Sequence, residues 1–314
     1  MVIWAADVGG TNIRVGLVEG NRLAAEEIIP AEPHAGLRRA IKRVITVWQR
    51  LNEQRGGHYQ EPEAVALALP AIVNPDTGRI YQAPKSKYED AASVNLDRML
   101  TDIGGTAFWC NDAHAALAGE HEYGDARAQS DVVMVTLGTG IGSAVMLQGR
   151  IFHGTHGLAG NISGHSTLNS DGARCPCGNI GCAELYASTW RIATLARHAP
   201  GFARSSLSTE RIIDYEIIFQ HARQGDKVAG KLADAAAKTW SSVICNLIHS
   251  YDPQMVIVGG GIAANHRELL PVFRDHIRRH SWARWPVPIR RATLGIHAGL
   301  IGAAILAAEK RRRQ

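Results

Sequence analysis

The most specific chemical pattern in the sequence is a group of three cysteines and one histidine. Cys175, Cys177 and Cys182 lie in a glycine-rich segment, and His165 precedes the first of them by ten positions. A Cys₃His set suits tetrahedral Zn²⁺, and a zinc ion with four protein ligands stabilises a loop that lacks regular secondary structure. Buried free thiols or a redox pair are the alternatives, although the Cys-x-Cys spacing strains a redox pair. The pattern therefore predicts a structural zinc site.

Three apolar runs of the sequence end in glycine-rich loops, at residues 7–12, 138–142 and 259–261. Glycine has no Cβ atom, so phosphate oxygens can approach the backbone N–H groups of such a loop. One loop of this kind can simply connect two strands, but three together favour an extended nucleotide site. The candidate nucleotide-binding residues are Asp7, Gly9, Gly10, Thr11, Asn12, Gly138, Thr139, Gly140, Gly259, Gly260 and Gly261.

The first of these loops also carries a carboxylate suited to magnesium. Asp7 can hold a hydrated Mg²⁺ while Thr11 and Asn12 orient the phosphates. Arg14 either adds positive charge to this site or forms a surface ion pair, and the sequence supports the two interpretations equally. We therefore expect a nucleotide to bind with magnesium at the first loop.

Two other kinds of nucleotide site fit the sequence less well. Residues 259–264 match the G-x-G-x-x-A form of a dinucleotide-binding turn. About twenty residues further on, where a ribose-binding carboxylate is needed, the chain has Arg278, Arg279 and His280. No G-x-x-x-x-G-K-[ST] segment occurs. The sequence therefore disfavours both an NAD site and a P-loop kinase.

Asp112 is the best candidate for a catalytic carboxylate. Phosphorylation of an alcohol requires a group that accepts the hydroxyl proton, and a carboxylate at the end of a strand can face the cleft and do so. Asp112 follows the apolar run 107–110, and its neighbour Asn111 could hydrogen-bond the same substrate. The alternative is that both residues cap the helix that begins at Ala113, a frequent role for these residue types. Asp112 could fill both roles.

The periodicity around these residues predicts an alternation of strands and helices. Apolar and alternating runs predict strands at 2–7, 13–18, 64–69, 107–110, 132–137 and 255–258. Helical spacing predicts helices at 35–54, after Asp112, from about 190 to 250 and at 297–304. The stretch 72–96 is rich in turn formers and predicts a surface excursion. Strand, hairpin-like strand and glycine loop recur near Asp7 and near Gly138, which indicates two related halves.

The composition is that of an ordinary globular protein. The chain has 314 residues, 46% of them hydrophobic and 20% charged, which excludes disordered and fibrous classes. It lacks a signal-like start and a membrane-length apolar run, so we expect a cytoplasmic protein with no membrane partner. Cys110 and Cys245 lie in strand and helix patterns and are expected in the core. The net charge of +5 and the basic tail 310–313 would suit a polyanion, but a solvated tail is the simpler interpretation, and no nucleic-acid partner is predicted.

The sequence resembles the ROK family of bacterial sugar kinases and sugar-responsive repressors, within the actin and hexokinase superfamily. Residues 7–11 are similar to its first phosphate motif, residues 111–113 to its catalytic segment and residues 137–142 to its second phosphate loop. Residues 164–184 are similar to its zinc signature, which is the most specific match. The resemblance covers nearly the whole chain.

This resemblance implies an α/β protein with the two-lobed, actin-like ATPase fold, which is ribonuclease H-like. Each lobe would contain a mixed sheet with flanking helices. Residues 1–110 would form the small lobe, completed by the C-terminal helix 298–314. Residues 111–297 would form the large lobe and would hold the zinc loop and the nucleotide site. Closure of the two lobes would exclude water from the cleft.

The resemblance also implies an activity and the residues that carry it. A ROK kinase transfers the γ-phosphate of ATP, with Mg²⁺, to a sugar hydroxyl, usually the 6-OH of a hexose or an N-acylated hexosamine. Asp112 would be the base. Asn111, His165 and Glu184 would contact sugar hydroxyls, and His165 would also bind zinc. Residues 259–261 would border the nucleotide, and a homodimer is expected.

The sequence departs from the family pattern on the side that would bind the sugar. The family commonly has Gly-Glu-x-Gly-His, whose glutamate binds sugar, whereas residues 160–165 contain one extra residue and have Asn161 at the carboxylate position. Asn161 remains a sugar-binding candidate. Ala71 replaces a frequent glycine, and Lys85 replaces a frequent asparagine. The phosphate loops are unchanged, so these departures concern sugar specificity.

Two other functions compete with a sugar kinase. Part of the family carries a helix-turn-helix domain and represses transcription, but here the first strand begins at residue 2 and leaves no space for such a domain. A sugar- or nucleotide-binding protein without catalysis is the second alternative, and the altered region around Asn161 is its only support. Because Asp7, Asp112 and both phosphate loops are present, the sequence favours an active kinase.

Overall fold

The computed structural model of this chain describes residues 2–20, 22–57, 61–84 and 87–313. Within those four segments, no helix combines the length and the apolarity needed to cross a membrane. The strands and helices in chain order are β1 (Val2–Val8), β2 (Asn12–Glu19), β3 (Arg22–Pro30), α1 (Leu37–Gln54), β4 (Ala64–Leu69), β5 (Ile72–Val73), β6 (Ile80–Gln82), α2 (Leu96–Leu100), β7 (Thr106–Asn111), α3 (Asp112–Tyr123), β8 (Val132–Leu137), β9 (Ile141–Leu147), β10 (Arg150–Ile151), α4 (Glu184–Ala187), α5 (Thr189–Arg197), α6 (Tyr215–Arg223), α7 (Lys227–Tyr251), β11 (Met255–Gly259), α8 (Gly260–Asn265), α9 (Leu269–His280), β12 (Ile289–Arg291) and α10 (Ala298–Arg313).

Two five-stranded mixed sheets repeat one plan. The strand order is β3-β2-β1-β4-β7 in the first sheet and β10-β9-β8-β11-β12 in the second. In the first sheet, β1 pairs antiparallel with β2 and parallel with β4; in the second, β8 pairs antiparallel with β9 and parallel with β11. A glycine loop joins each hairpin, at residues 9–11 and 138–140. This is the repetition that the sequence predicts.

The strands that the sequence did not predict are β9, which lies inside the second sheet, and several edge or very short strands. β3 is an edge strand in which every described residue is exposed or half-buried, so no buried alternation marks it. β12 is also an edge strand and has only three residues. Conversely, the stretch predicted as a surface excursion contains the small hairpin of β5 and β6. Periodicity needs several successive residues, and β5, β6 and β12 have only two or three each, although Val73, Ile80 and Ile289 are buried.

Helices cover both faces of the first sheet. On one face, α1 buries Trp48, whose indole Nε1 donates to the backbone carbonyl of Ala5 at 3.0 Å. On the other face, α10 buries Leu300 and Ala303 against alternate sheet residues such as Ala5 and Ala66. Small side chains on this face allow the helix to pack closely. The last helix of the chain therefore belongs to the core of the first sheet.

The second sheet is also covered on both faces. Trp240 of α7 and Phe273 of α9 pack in the core that includes Val133 and Val258. Leu117 of α3 packs on the opposite face with other apolar residues of the sheet. Because α3 begins directly after the first sheet and packs on the second, it links the two halves.

α3 and α10 cross each other in close contact between the two halves. A Cβ atom at Gly302 of α10 would overlap the carbonyl oxygen of Ala115 in α3. Only glycine can occupy this position without moving one of the helices. The basic tail at the end of α10 also has partners, because Lys310 Nζ donates to the carbonyl of Pro75 at 2.9 Å and Arg311 pairs with Glu63. Lys310 and Arg311 therefore also contact the folded chain, although the Arg311 side chain remains exposed.

Candidate active site

Two carboxylates lie at the same edge of the first sheet. β1, β4 and β7 are parallel neighbours, with Asp7 opposite Ala68 and Leu69 opposite Asn111. Asp7 is near the carboxyl end of β1, and Asp112 directly follows β7. Since β4 lies between them, the two backbones are about 10 Å apart, and side chains directed into the cleft can approach more closely. The topology thus brings together the two acidic residues that the sequence singles out.

The electrostatics of this pair are those of a partly buried acidic cleft. Burial and, to a smaller extent, the nearby charge of Asp112 raise the pKa of Asp7 to about 7, against the opposing charge of Arg14. Arg14 Nη1 lies 3.9 Å from Asp7 Oδ2, so Arg14 contributes its charge to the cleft. Burial also raises the pKa of Asp112 to about 6, against the stabilising effects of the Ala113 N–H group and the Lys87 ammonium group. Such perturbed pairs are frequent at functional sites.

Asn111 and Asp112 cap the helix that follows β7, which is the alternative to a catalytic role. Asn111 is the N-cap of α3, and its Oδ1 accepts hydrogen bonds from the N–H groups of Ala113 at 2.9 Å and His114 at 3.3 Å. Its Nδ2 donates to the carbonyl of Ala71 at 3.2 Å. Asp112 Oδ1 also accepts from Ala113 N–H, at 2.9 Å. These bonds fix the orientation of both side chains at the cleft.

Glu184 lies against the second glycine loop. Its Oε2 accepts from the N–H group of Ile141 at 2.9 Å, and its Oε1 accepts from the indole N–H of Trp190 at 3.0 Å. The backbone N–H groups of Thr189 and Trp190 also donate to carbonyls of this loop. The glutamate expected to contact sugar therefore has structural partners in the loop at residues 138–141, and the sequence did not predict these partners.

The second and third glycine loops lie side by side. Gly259, at the end of β11, is opposite Thr136, near the end of β8, in a parallel pair. Their carboxyl ends therefore meet at one edge of the second sheet, and residues 138–140 are adjacent to residues 259–261. This arrangement gathers backbone N–H groups from two loops at one place. The third loop continues directly into α8.

The segment with the extra residue packs against β9. Ser143 Oγ donates to the carbonyl of Gly160 at 2.7 Å and accepts from the N–H group of Ser163 at 3.2 Å. Asn161 is buried, and its Nδ2 donates to the carbonyl of Gly157 at 2.6 Å. Its Oδ1 is buried without a hydrogen-bond partner in the described part of the chain. A buried carbonyl oxygen of this kind is available to a ligand hydroxyl.

Two residues near the cleft were not predicted. The side chain of Lys87 lies beside Gly10 in the first loop, within a stretch that the sequence assigns only to surface turns. His114 is buried two positions after Asp112, and burial and the nearby His153 lower its pKa to about 4, so its imidazole is neutral at pH 7. In the sequence, only the position of His114 two residues after Asp112 indicates that it lies near the candidate base. Lys85, one of the departures from the family pattern, lies outside the described residues.

The predicted zinc ligands form one cluster. The ligand atoms of His165, Cys175, Cys177 and Cys182 lie within 4.8 Å of one another. Cys175 Sγ is 3.7 Å from His165 Nδ1, and Cys177 Sγ is 3.7 Å from Cys182 Sγ. Zn–S bonds of about 2.3 Å in a tetrahedron place two sulfurs about 3.8 Å apart. The donor set and its spacing therefore fit zinc. Among the described residues, no fifth His, Cys, Asp or Glu belongs to the cluster.

Comparisons with known proteins agree with this geometry. The ROK family model matches residues 3–310. The glucokinase of Streptomyces coelicolor is 30% identical over 327 aligned positions, which cover 96% of this chain and 96% of that protein. A solved ROK family glucokinase from Streptomyces griseus, in complex with glucose and AMPPNP, is 27% identical with a TM-score of 0.79, covering 98% of this chain and 100% of that chain. An N-acetylglucosamine repressor of Escherichia coli is 27% identical over 248 residues, covering 77% of this chain and 59% of the repressor.

The chain belongs to the ROK family, because the family model spans almost its whole length. Its fold is the actin-like ATPase fold of the ROK sugar kinases. Glucokinases match it over nearly their full length, whereas the repressor matches over little more than half of its own. The comparisons therefore support a sugar kinase.

Proposed function

We propose that this protein transfers the γ-phosphate of ATP to a hydroxyl of a hexose, with Asp112 as the general base. The observation that carries the proposal is the position of Asp7 and Asp112 at one sheet edge, each with a raised pKa. We expect the 6-OH group to be the acceptor. Glucose is the first candidate substrate because several glucokinases match the chain over nearly their full length; an N-acylated hexosamine is the next.

Each part of the cleft has a proposed task. Asp112 accepts the hydroxyl proton, and a pKa of about 6 is close to the optimum for a base near neutral pH. Asp7 would hold the Mg²⁺ that accompanies ATP, and Arg14 limits the repulsion between the two carboxylates. The N–H groups of residues 9–12, 138–140 and 259–261 bind the phosphates. Transfer then depends on position and electrostatics rather than on a covalent enzyme intermediate.

The proposed sugar site lies between the start of α3 and the zinc cluster. We propose that the unpartnered Oδ1 of Asn161 accepts a sugar hydroxyl and that His165, Asn111 and Glu184 are further contacts. Asn161 cannot reproduce the charge of the family's glutamate, so the hydrogen bond it forms would be weaker. Zinc would hold His165 and the cysteine loop in place, and its role would be structural.

We propose that residues 1–110 with helix 298–314 move as one lobe and residues 111–297 as the other. The crossing of α3 and α10 at Gly302 would be the pivot, since both helices run between the two sheets. Closure would remove water from the transferring phosphoryl group. The protein would act as a homodimer, which light scattering of the purified chain would test.

The proposal is tested by an ADP-release assay against a panel of hexoses and N-acylated hexosamines. We expect turnover with glucose or a close relative, and a loss of about 10³-fold or more in Asp112→Asn. Asp234→Asn, at an exposed position of α7, is the matched control and should keep full activity. Full activity of Asp112→Asn would contradict the assignment of the base, and no turnover with any sugar would contradict the kinase.

A sugar-sensing regulator is the second candidate, because the Escherichia coli repressor is a relative at 27% identity. It predicts sugar binding by calorimetry without ADP release, together with a sequence-specific gel shift of DNA that the sugar reverses. Binding of sugar without turnover and without a gel shift would instead indicate a catalytically silent binding protein. Turnover that depends on Asp112 would exclude both.

A further inference from the structure

Lys87 places an ammonium group over the first glycine loop. A Cβ atom built at Gly10 would lie 2.8 Å from Lys87 Nζ, 3.2 Å from its Cε and 3.5 Å from its Cδ. The lysine side chain therefore runs along the backbone at Gly10 and occupies the space that any other residue would fill. Gly10 thus has a second role besides exposing its N–H group: it makes room for a cation at the phosphate loop.

The backbone that presents Lys87 is fastened to the same loop. The next residue, Tyr88, is 1% exposed, and its hydroxyl donates to the carbonyl of Gly9 at 2.8 Å. The N–H group of Tyr88 donates to the carbonyl of Pro33 at 3.0 Å, and that of Lys87 donates to the carbonyl of Pro84 at 3.1 Å. Because the Tyr88 hydroxyl and the backbone of both residues are held, the Lys87 side chain starts from a fixed position beside the first loop before any ligand binds. Such preorganised charge is what stabilises a developing negative charge most effectively.

The same ammonium group acts on Asp112. Burial raises the pKa of Asp112, and the positive charge of Lys87 is among the influences that lower it. A charge effect of this kind requires proximity, because Coulomb interactions fall with distance and are screened by solvent. Lys87 therefore lies beside the first phosphate loop and near enough to the proposed base for its charge to act there.

We propose that Lys87 is a catalytic residue whose ammonium group contacts the γ-phosphoryl oxygens of ATP while the phosphoryl group moves to the sugar. This inference rests on the proposed kinase function. In the step, Asp112 accepts the hydroxyl proton, the sugar oxygen forms the new bond to phosphorus, and the bond to the β–γ bridging oxygen breaks, so that ADP leaves with that electron pair. Lys87 keeps its protons throughout. It stabilises the charge spread over the three equatorial oxygens.

Kinetics of Lys87→Met, Lys87→Arg and the control Lys42→Met test this role. Methionine keeps the length of the side chain without its charge, and Lys42 is exposed on α1 in the same half of the molecule. We expect kcat of Lys87→Met to fall about 10²-fold with the sugar KM nearly unchanged, and Lys87→Arg to recover part of the loss. Lys42→Met should match the parent protein. An unchanged kcat in Lys87→Met would overturn the inference while leaving the kinase assignment intact.

Binding measured by calorimetry separates the inference from the kinase assignment. The probes are Mg·AMPPNP, which has a γ-phosphoryl group, and Mg·ADP, which lacks it. We expect Lys87→Met to bind AMPPNP about tenfold more weakly and ADP with unchanged affinity. Equal weakening of both nucleotides would show that Lys87 only supports the loop. This measurement needs no turnover, so it decides the inference even if no sugar in the panel is phosphorylated; a parent protein that binds neither nucleotide would overturn both proposals.

The pH profile of Lys87→Met tests whether Lys87 acts only indirectly, through the charge of Asp112. If Lys87 acted only by favouring the ionised form of Asp112, Lys87→Met would regain the parent kcat at a pH well above the pKa of Asp112. A contact to the phosphoryl group predicts that the loss of kcat persists at high pH, while the acid limb of the profile moves to higher pH. Full recovery at high pH would overturn the proposed contact.

Discussion

Glu184 holds the second glycine loop through the backbone of Ile141, whose N–H group donates to Glu184 Oε2 at 2.9 Å. The other carboxylate oxygen accepts from the Trp190 indole, so one side chain joins the loop to the start of α5. Both bonds are charge-assisted and are stronger than bonds between neutral groups. The shape of the loop therefore depends on a glutamate that is 43 positions away from it.

Replacement of this carboxylate should affect the nucleotide more than the sugar. In Glu184→Gln, the amide has only one acceptor oxygen, so one of the two N–H donors loses its partner. We expect the KM for ATP to rise about tenfold with a smaller change in the sugar KM. Steady-state kinetics with each substrate varied in turn measure both values. A rise in the sugar KM with an unchanged KM for ATP would contradict the loop-holding role and leave only the proposed sugar contact of Glu184.

The two raised pKa values predict an acid limb in the activity profile. Asp112 must be ionised to act as a base, so kcat/KM should fall about tenfold per pH unit below pH 6. Protonation of Asp7, whose pKa is about 7, would compete with Mg²⁺. Activity lost between pH 7 and 6 should therefore be restored by more Mg²⁺, whereas activity lost below pH 6 should not be. A flat profile from pH 5 to 8 would contradict both roles.

The raised pKa of Asp112 also predicts that the protein becomes more stable when the charge of Asp112 is removed. A carboxyl group whose pKa is higher in the folded state binds more protons there, so its burial destabilises the fold as pH rises from about 4 through 6. At pH 7.5, Asp112→Asn should raise the free energy of unfolding by about 1 kcal/mol, while at pH 4 the variant and the parent should be alike. Urea denaturation at the two pH values measures this. A destabilised variant at pH 7.5 would contradict the argument.

Loss of a zinc ligand should remove the metal and loosen the loop. We expect about one zinc per chain by elemental analysis, and close to none in Cys182→Ser, with a lower melting temperature. Cys245→Ser, on α7 and outside the cluster, is the matched control and should keep its zinc. A parent protein without metal, and equally stable after treatment with a strong chelator, would show that the four residues have another role.

The crossing of α3 and α10 predicts a large effect from one methyl group. In Gly302→Ala the new Cβ would overlap the carbonyl oxygen of Ala115, and we expect a loss of about 3 kcal/mol of stability. Gly230→Ala is the matched control, because Gly230 lies on α7 and its Cβ would have no neighbour within 4 Å. There, the better helix propensity of alanine should raise stability by up to about 1 kcal/mol. Denaturant unfolding of the two variants compares them directly, and similar values would contradict the packing argument.

The sequence predicts the convergence of the site but not all of its members. The carboxyl ends of parallel strands share an edge, so strand order alone brings Asp7 close to Asp112, and the predicted strands are present. Lys87 was missed because its stretch has no periodicity and its position depends on the bond from Tyr88 to Gly9. The partners of Glu184 were missed for the same physical reason: a hydrogen bond between distant segments leaves no pattern in the local sequence. Side-chain contacts between distant segments could therefore be identified only from the structure.

The position of α10 has a consequence for synthesis of the protein. Its leucine and alanines cover one face of the first sheet, including Ala5 and Ala66, yet about 230 residues are translated between Ala66 and Leu300. At elongation rates of about 5–20 residues per second, that apolar face stays without its covering helix for some tens of seconds. The first sheet therefore cannot complete its core until the last helix has been synthesised, and its apolar face is open to aggregation during that interval.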